Sequence, residues 1–315
     1  MIVTLTANPS LDRTVMLDAP LQPGEVQAAR AGREDAGGKG INVARVVAAA
    51  GVDSRAVLPL SSEDPFDSVL RATRIDAVRV PIAGLARANL TVTDPLGVTT
   101  KLNLPGATLS ASEADAVIAA VVDASRDARW LVLAGSVPPG AGDDFYVRVI
   151  EAVRGALGDA APRIAVDTSG AALRAVVAHG RPDLIKPNDE ELAELTGVAA
   201  SPDSLVADVT GSARGLVASS RIGAALVTLG GDGAVLATPE GEWYGRPPRI
   251  EVASTVGAGD SALAGYLLAE HDGAAPADRL RSSILYGAAA ASLPGTQAPR
   301  PSDLPHDDVP VTPLS

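Results

Sequence analysis

Residues 130–167, WLVLAGSVPPGAGDDFYVRVIEAVRGALGDAAPRIAVD, hold an apolar run ending in Gly135 and Ser136, a helix-like stretch over 143–157, and a second apolar run over 163–167. Runs this short and this continuously apolar suit strands covered on both faces, and a helix between two of them predicts the strand–helix–strand unit of a parallel sheet. The same grammar extends in both directions. IVTLTA (2–7), RAVLPL (55–60), DLIKP (183–187) and AALVTLG (224–230) read as further strands, and 112–127 as a further helix. AGGKG (36–40) leads into INVARVVAAAG, where Ile41, Ala44, Val47 and Ala48 recur at helical spacing before Gly51 stops the run. The alternation predicts an α/β fold with a mostly parallel central sheet flanked by helices.

Two stretches depart from it. Segment 85–104 alternates polar and apolar residues around a DPLG turn and predicts a β-hairpin; segment 12–35 is poor in helix signals. Together they predict a small accessory β-sheet, a lid, on a main domain spanning 1–300. Pro294, Pro299, Pro301, Pro305, Pro310 and Pro313 predict largely irregular structure toward the end, with 301–315 as a Pro-rich tail.

Composition narrows the function classes. The 315 residues are 46% hydrophobic, enough for a sizeable core, and no run is long and apolar enough to span a membrane. The opening MIVTLTANPSLDRTV lacks a basic flank and an apolar stretch, so a cytoplasmic location is expected. Cysteine is absent, and His179, His271 and His306 lie far apart, which argues against a zinc site or a histidine-based triad. A formal charge of -12 with 3% aromatic residues leaves neither a broad basic face nor stacking platforms for nucleic acid. Any anion must be held by a small local set of cations. Lysine occurs only at Lys39, Lys101 and Lys186, in a chain that otherwise uses arginine; two of the three fall in the motifs below.

Open parallel sheets bind ligands beyond the C-terminal ends of their strands. Asp12, Gly135, Ser136, Lys186, Asn188, Gly230 and Gly231 all fall at such ends. In STVGAGDSALAGY (254–266), Asp260 follows three small residues at a helix start. It reads either as an N-cap or as a base beside an anion held on exposed N–H groups. In KPNDEELAEL (186–195), Asn188 and Glu191 form a capping-box pattern and equally suit a magnesium ion that keeps its waters. GGKGINVA (37–44) is either a tight turn or a cradle in which Lys39 and Asn42 hold a polyhydroxy ligand bearing a phosphate. TLGGDGAVLAT (228–238) is a glycine turn between strands, with or without a nucleotide packed on it.

Taken in order, AGGKGINVA, KPNDEE and STVGAGDS make the chain resemble the phosphofructokinase B group of ribokinase-like sugar kinases, from residue 2 to about residue 300. TLTANPSLD, the lysine of GGKGIN, GSVPPG and PPRIEVASTVGAGDS look most like 1-phosphofructokinases and tagatose-6-phosphate kinases. The resemblance implies a ribokinase-like fold with a β-sheet lid that often builds a homodimer, and ATP-dependent phosphorylation of a ketohexose monophosphate with Mg2+. It implies Asp260 as catalytic base and Gly257, Ala258 and Gly259 as anion hole. Asp12, Gly38, Asn42 and Ser136 would meet the sugar, with Lys39 and Arg87 on its existing phosphate. Lys186, Asn188, Thr228, Gly230 and Gly233 would serve ATP, and Asn188 with Glu191 the metal through water. The expected reaction converts fructose 1-phosphate to fructose 1,6-bisphosphate; tagatose-6-phosphate kinase and 6-phosphofructokinase activities are the alternatives, and a non-catalytic sugar-phosphate or nucleotide binder a distant one. Two departures stand out: SSEDPF (61–66) replaces the G-x-D-x-x-G of many relatives, and Ser254 stands where many carry an acid.

Overall fold

The computed structural model describes residues 1–314. β1 (Ile2–Thr6) is buried at every position. The chain then leaves the main sheet for the antiparallel pair β2 (Ser10–Leu17) and β3 (Ala29–Gly37) and returns through α1 (Lys39–Ala49), β4 (Ser54–Pro59), α2 (Phe66–Ala72) and β5 (Asp76–Val80). A second excursion makes the hairpin of β6 (Arg87–Thr93) and β7 (Thr99–Asn103). Its turn is built by side-chain chemistry: Asp94 Oδ1 accepts from the N–H groups of Leu96 and Val98, both at 2.9 Å, and Gly97 supplies φ +82°. Next come α3 (Ala111–Ala124), β8 (Trp130–Ala134), α4 (Phe145–Leu157), β9 (Arg163–Asp167), α5 (Gly170–Ala175), β10 (Leu184–Ile185), α6 (Asp189–Thr196) and α7 (Leu205–Ala218). β11 (Ala225–Thr228), β12 (Ala234–Thr238), β13 (Gly241–Gly245), α8 (Ala258–His271), α9 (Pro276–Ser292) and β14 (Val311–Leu314) complete the chain.

Ten strands form one sheet in the order β14-β13-β12-β11-β10-β9-β8-β1-β4-β5. From β11 to β5 neighbours run parallel; β12, β13 and β14 extend the sheet antiparallel. The 130–167 stretch is β8–α4–β9, with Trp130 beside Arg163 and Ala134 beside Asp167. Its continuous apolarity follows from burial on both faces. Trp130, Val132 and Ala134 join the core that includes residues of α1, α8 and α9, whereas Leu131 and Leu133 join the core that includes residues of α3 and α4. Val43, Val46 and Val47 bury one side of α1 in the first core. At about 1.5–3 kcal/mol per buried side chain, they fix the rotation of the helix that carries Asn42.

The other excursion residues form a separate four-stranded sheet, β3-β2-β6-β7, which is the small sheet expected from 12–35 and 85–104. Three strands differ from the sequence reading. β5 and β13 lie in stretches with no strand assigned, and the proline-rich tail is not irregular to its end, because β14 pairs antiparallel with β13. The reason is positional: β14 is an edge strand, bonded on one side only, so Pro313 opposite Trp243 costs no ladder bond that a central strand would need.

Candidate active site

Among the described residues, the strand ends and two helix starts converge on one cluster. α8 begins at Gly257, whose φ of +80° lies in the left-handed region open to glycine. Asp260 is therefore not the N-cap that one reading of STVGAGDS expected; it stands in the first turn, only 6% exposed, and Gly257 holds the cap position with no side-chain cap bond. Asn42 of α1 donates from Nδ2 to Asp260 Oδ2 at 2.8 Å. Burial, reinforced by the charge of Asp167 and opposed by Lys39, Asn42 and Lys186, pushes the Asp260 carboxyl up to about 6. Such a group is ionised at neutral pH and still basic enough to take a proton.

Beside it, Lys39 and Lys186 share one carboxylate. Lys39 Nζ donates to Asp167 Oδ1 at 2.7 Å, and Lys186 Nζ lies 3.3 Å from Oδ2. Asp167 ends β9 with no exposure; burial alone would raise its pKa, but Lys186 and Lys39 hold it below the ordinary carboxylate range. Burial pulls Lys39 down, yet the charge and hydrogen bond of Asp167 outweigh this and keep its ammonium above the ordinary lysine value. Two cations therefore face one firmly ionised acid and one acid near neutrality. Lys186 Nζ stands where the first N–H groups of α8 lack helical acceptors. A Cβ added at Gly259 would sit 3.3 Å from Lys186 Nζ, so the ammonium lies directly beside the helix start, an arrangement able to receive an anion.

Glycines at the ends of strands border this cluster. Gly135, φ +96°, follows β8; its carbonyl accepts from Tyr146 Oη at 3.0 Å and Thr168 Oγ1 at 2.9 Å, and a Cβ there would lie 4.0 Å from Lys39 Cβ. Gly38 caps α1 at φ +128°, where a side chain would strike Thr6.

A second group lies at the junction with the small sheet. Asn89 Nδ2 donates to Asp12 Oδ1 at 2.8 Å, and a side chain on Gly37 would strike Asp12. Burial raises the Asp12 carboxyl against hydrogen bonds from Ser10 and Asn89. Arg87 is half-buried: burial lowers its pKa, Asp12 opposes this, and its Nε has no partner among the described residues. SSEDPF serves this corner, because Asp64 accepts from the N–H of Phe66 at 2.9 Å and of Ala86 at 2.6 Å, fixing the chain just before Arg87. Ser136 accepts from Asn8 Nδ2 at 3.1 Å.

Lys39 and Arg87, expected to grip one phosphate together, have different partners: Lys39 pairs with Asp167 and also feels the charges of Asp260 and Glu191, whereas Arg87 pairs in charge with Asp12. Asp167 and Asn89 were not singled out from sequence. Asp167 was within reach, since it ends the RIAVD run at the same strand-end level that marked Lys186.

On the β10–β11 side, Asn188 Oδ1 accepts from Glu191 N at 2.6 Å and Glu191 Oε2 accepts from Asn188 N at 3.0 Å, a reciprocal capping box for α6. Asn188 also bridges to Thr228. Gly230 and Gly233 have φ of +57° and +109°, and Leu229 N donates to Gly233 O at 2.8 Å, so the glycine turn joins β11 to β12. No three His, Asp or Glu side chains converge as a metal cage among the described residues. The capping box uses one Glu191 oxygen and leaves the other, a donor set that fits an oxygen-seeking, water-retaining ion.

The pfkB family carbohydrate kinase model matches residues 5–303. A 1-phosphofructokinase of Xanthomonas campestris pv. campestris is 36% identical over 278 residues, covering 86% of this chain and 85% of that protein. A 1-phosphofructokinase of Rhodobacter capsulatus is 33% identical, covering 96% and 94%. The solved structure of phosphofructokinase-2 from Escherichia coli in complex with substrates and products superposes with a TM-score of 0.86 at 31% identity, covering 96% of each chain. The chain belongs to the pfkB family of carbohydrate kinases.

Proposed function

We propose that the protein is a 1-phosphofructokinase, which transfers the γ-phosphoryl group of ATP to the free primary hydroxyl of fructose 1-phosphate and forms fructose 1,6-bisphosphate. The observation that carries the chemistry is the buried Asp260 carboxylate at the open start of α8, flanked by two lysines that share Asp167. Phosphoryl transfer depends on positioning and on charge stabilisation. Asp260 takes the hydroxyl proton. The N–H groups of Gly257, Ala258 and Gly259, with Lys186, hold the transferring group. Lys39, tied to Asp167 beside Asp260, serves that same group, and Arg87 is left to meet the phosphate that the sugar already carries.

Asp12, Gly38, Asn42 and Ser136 orient the sugar hydroxyls. Thr228, Gly230, Gly233 and Asn188 receive the nucleotide. Glu191 and Asn188 would hold Mg2+ through water, and the ion would neutralise charge on the ATP phosphates. The choice of sugar rests on the relatives named 1-phosphofructokinase. The similarity to phosphofructokinase-2 supports a second reading, phosphorylation of fructose 6-phosphate, because a fructofuranose ring turned over presents its other CH2OH to the same base. Steady-state kcat/KM for fructose 1-phosphate, fructose 6-phosphate and tagatose 6-phosphate, measured side by side with Mg-ATP, decides between them. A preference of tenfold or more for fructose 1-phosphate is expected. Equal or reversed values defeat the assignment.

The small sheet is proposed to close over the sugar as a lid and to pair with a second copy. Support comes from its apolar exposure: Met16 at 39%, Leu102 at 54% and Val98 at 61%.

A further inference from the structure

Beside Asn42 lies a small cleft, open to solvent, with a cavity volume of about 10 Å³, room for about one water. Asn42 and Arg45, one turn apart on α1, form one wall, Gly257 and Ser261 at the start of α8 a second, and Thr296 and Gln297, in the strap after α9, a third. Two polar atoms buried among these residues have no hydrogen-bond partner among the described residues: Asn42 Oδ1 and Thr296 Oγ1. Left so, each costs about 1–3 kcal/mol. One water needs two to four polar partners, and this pocket supplies an acceptor in Asn42, a hydroxyl in Thr296 and a cation in Arg45.

We propose that Thr296 is a positioning residue for the phosphoryl transfer: through one water shared with Asn42 Oδ1, it holds the Asn42 amide with its nitrogen toward Asp260. This inference rests on the kinase reading above. The chemistry is directional. Asp260 accepts only from the NH2 end of the amide, and a reversed amide would set an oxygen against a carboxylate. A water that accepts from Arg45 or Thr296 can donate its own hydrogen to Asn42 Oδ1, and the Arg45 guanidinium disfavours an NH2 group turned toward it. The pocket thus selects the productive amide orientation from the far side.

Asn42 is one of the groups that lower the Asp260 pKa, against burial and Asp167 and alongside Lys39 and Lys186. Arg45 lines the pocket, with Asp35 and Arg33 acting on it by charge. Loosening Asn42 while these charges stay in place therefore raises Asp260.

The test compares Thr296→Val, which keeps the shape and removes the hydroxyl, with Thr296→Ser, which restores it, and with Gln297→Ala as a neighbour from the same wall. Asp260 is followed by carbon NMR titration of the folded, substrate-free protein. In Thr296→Val its midpoint is expected to rise by about half a pH unit to one unit, with kcat at pH 6 down roughly 2- to 5-fold and sugar-phosphate KM within about twofold. Thr296→Ser and Gln297→Ala are expected to match the wild type. An unshifted Asp260 midpoint in folded Thr296→Val, or an equal shift in Thr296→Ser, overturns the proposal. The titration needs no turnover, so it stands apart from the assignment of sugar or reaction: a wild type that phosphorylates no ketohexose phosphate defeats that assignment and leaves the midpoints to decide this one.

Discussion

At Asp260, one residue carries both a structural cost and a catalytic gain. Burial raises its carboxyl from 3.8 to about 6, so between those values the folded chain holds a proton that the unfolded chain has released. This group therefore favours folding most below pH 3.8, and the contribution is lost as pH rises through about 6. Its base form follows the opposite course. kcat is expected to fall about tenfold per pH unit below pH 6 and to level off above it, as a pH–rate profile at saturating substrates will read. Asp260→Asn is expected to lower kcat by roughly 10²- to 10⁴-fold. By removing a poorly solvated charge, it should also leave the protein as stable as the wild type at pH 7, or more stable by on the order of 1–3 kcal/mol. Near-normal turnover in that variant defeats the assignment of the base.

Asp167 makes the complementary prediction. Asp167→Asn strips the shared counter-charge from Lys39 and Lys186. Breaking a buried pair costs about 3–5 kcal/mol, and the partial exposure of Lys39 moves the expected loss toward the lower end. Inorganic phosphate should then raise the melting temperature of the variant more than that of the wild type, because an added anion replaces the missing one. Equal shifts would mean that the lysine pair does not receive the anion.

Elements were legible wherever one rule acted alone. The strands buried on both faces announced themselves as apolar runs, and AGGKG and STVGAGDS marked helix starts with exposed backbone. β5, β13 and β14 were not legible, because DAVRV and GEWYG mix charged, aromatic and small residues, and VTPL carries a proline; what makes them strands is the edge that their neighbours offer. For Asp167 the strand-end position was legible in RIAVD, whereas its role was not, because the fold alone brings it two lysines, from α1 and from the segment after β10. Asn188 shows two roles on one element. Its capping box is plain in the structure, whereas its part in nucleotide binding needs a separating test. Serine caps a helix about as well as asparagine, so Asn188→Ser should unfold within a few tenths of a kcal/mol of the wild type. If the amide also serves the nucleotide and its metal, kcat/KM for Mg-ATP falls roughly tenfold or more in the same variant. An unchanged value would reduce Asn188 to a cap.

At the scale of the molecule, the large sheet carries the Asp260 and Asp167 cluster, and the small sheet is the lid proposed to close over it. β3 runs directly into Gly38 and α1, and β6 starts at Arg87, so movement of the small sheet transmits to Asp12, Lys39 and Arg87 without an intervening flexible linker. A four-stranded sheet with apolar residues on its surface is also poorly suited to stand alone in water. Pairing with a second copy would bury Leu102 and Val98 and stiffen the sheet over the sugar. Leu102→Asp places a charge on that surface at a position 54% exposed, where the isolated fold loses little by the change. Sedimentation velocity should then show a dimer for the wild type and a monomer for the variant, with the melting profile nearly kept. KM for the sugar phosphate should rise more than KM for ATP, since in the proposed arrangement only the sugar would lie under the small sheet. A wild type that sediments as a monomer, or a variant that remains dimeric, would place any association on another surface and leave the small sheet with the lid role alone.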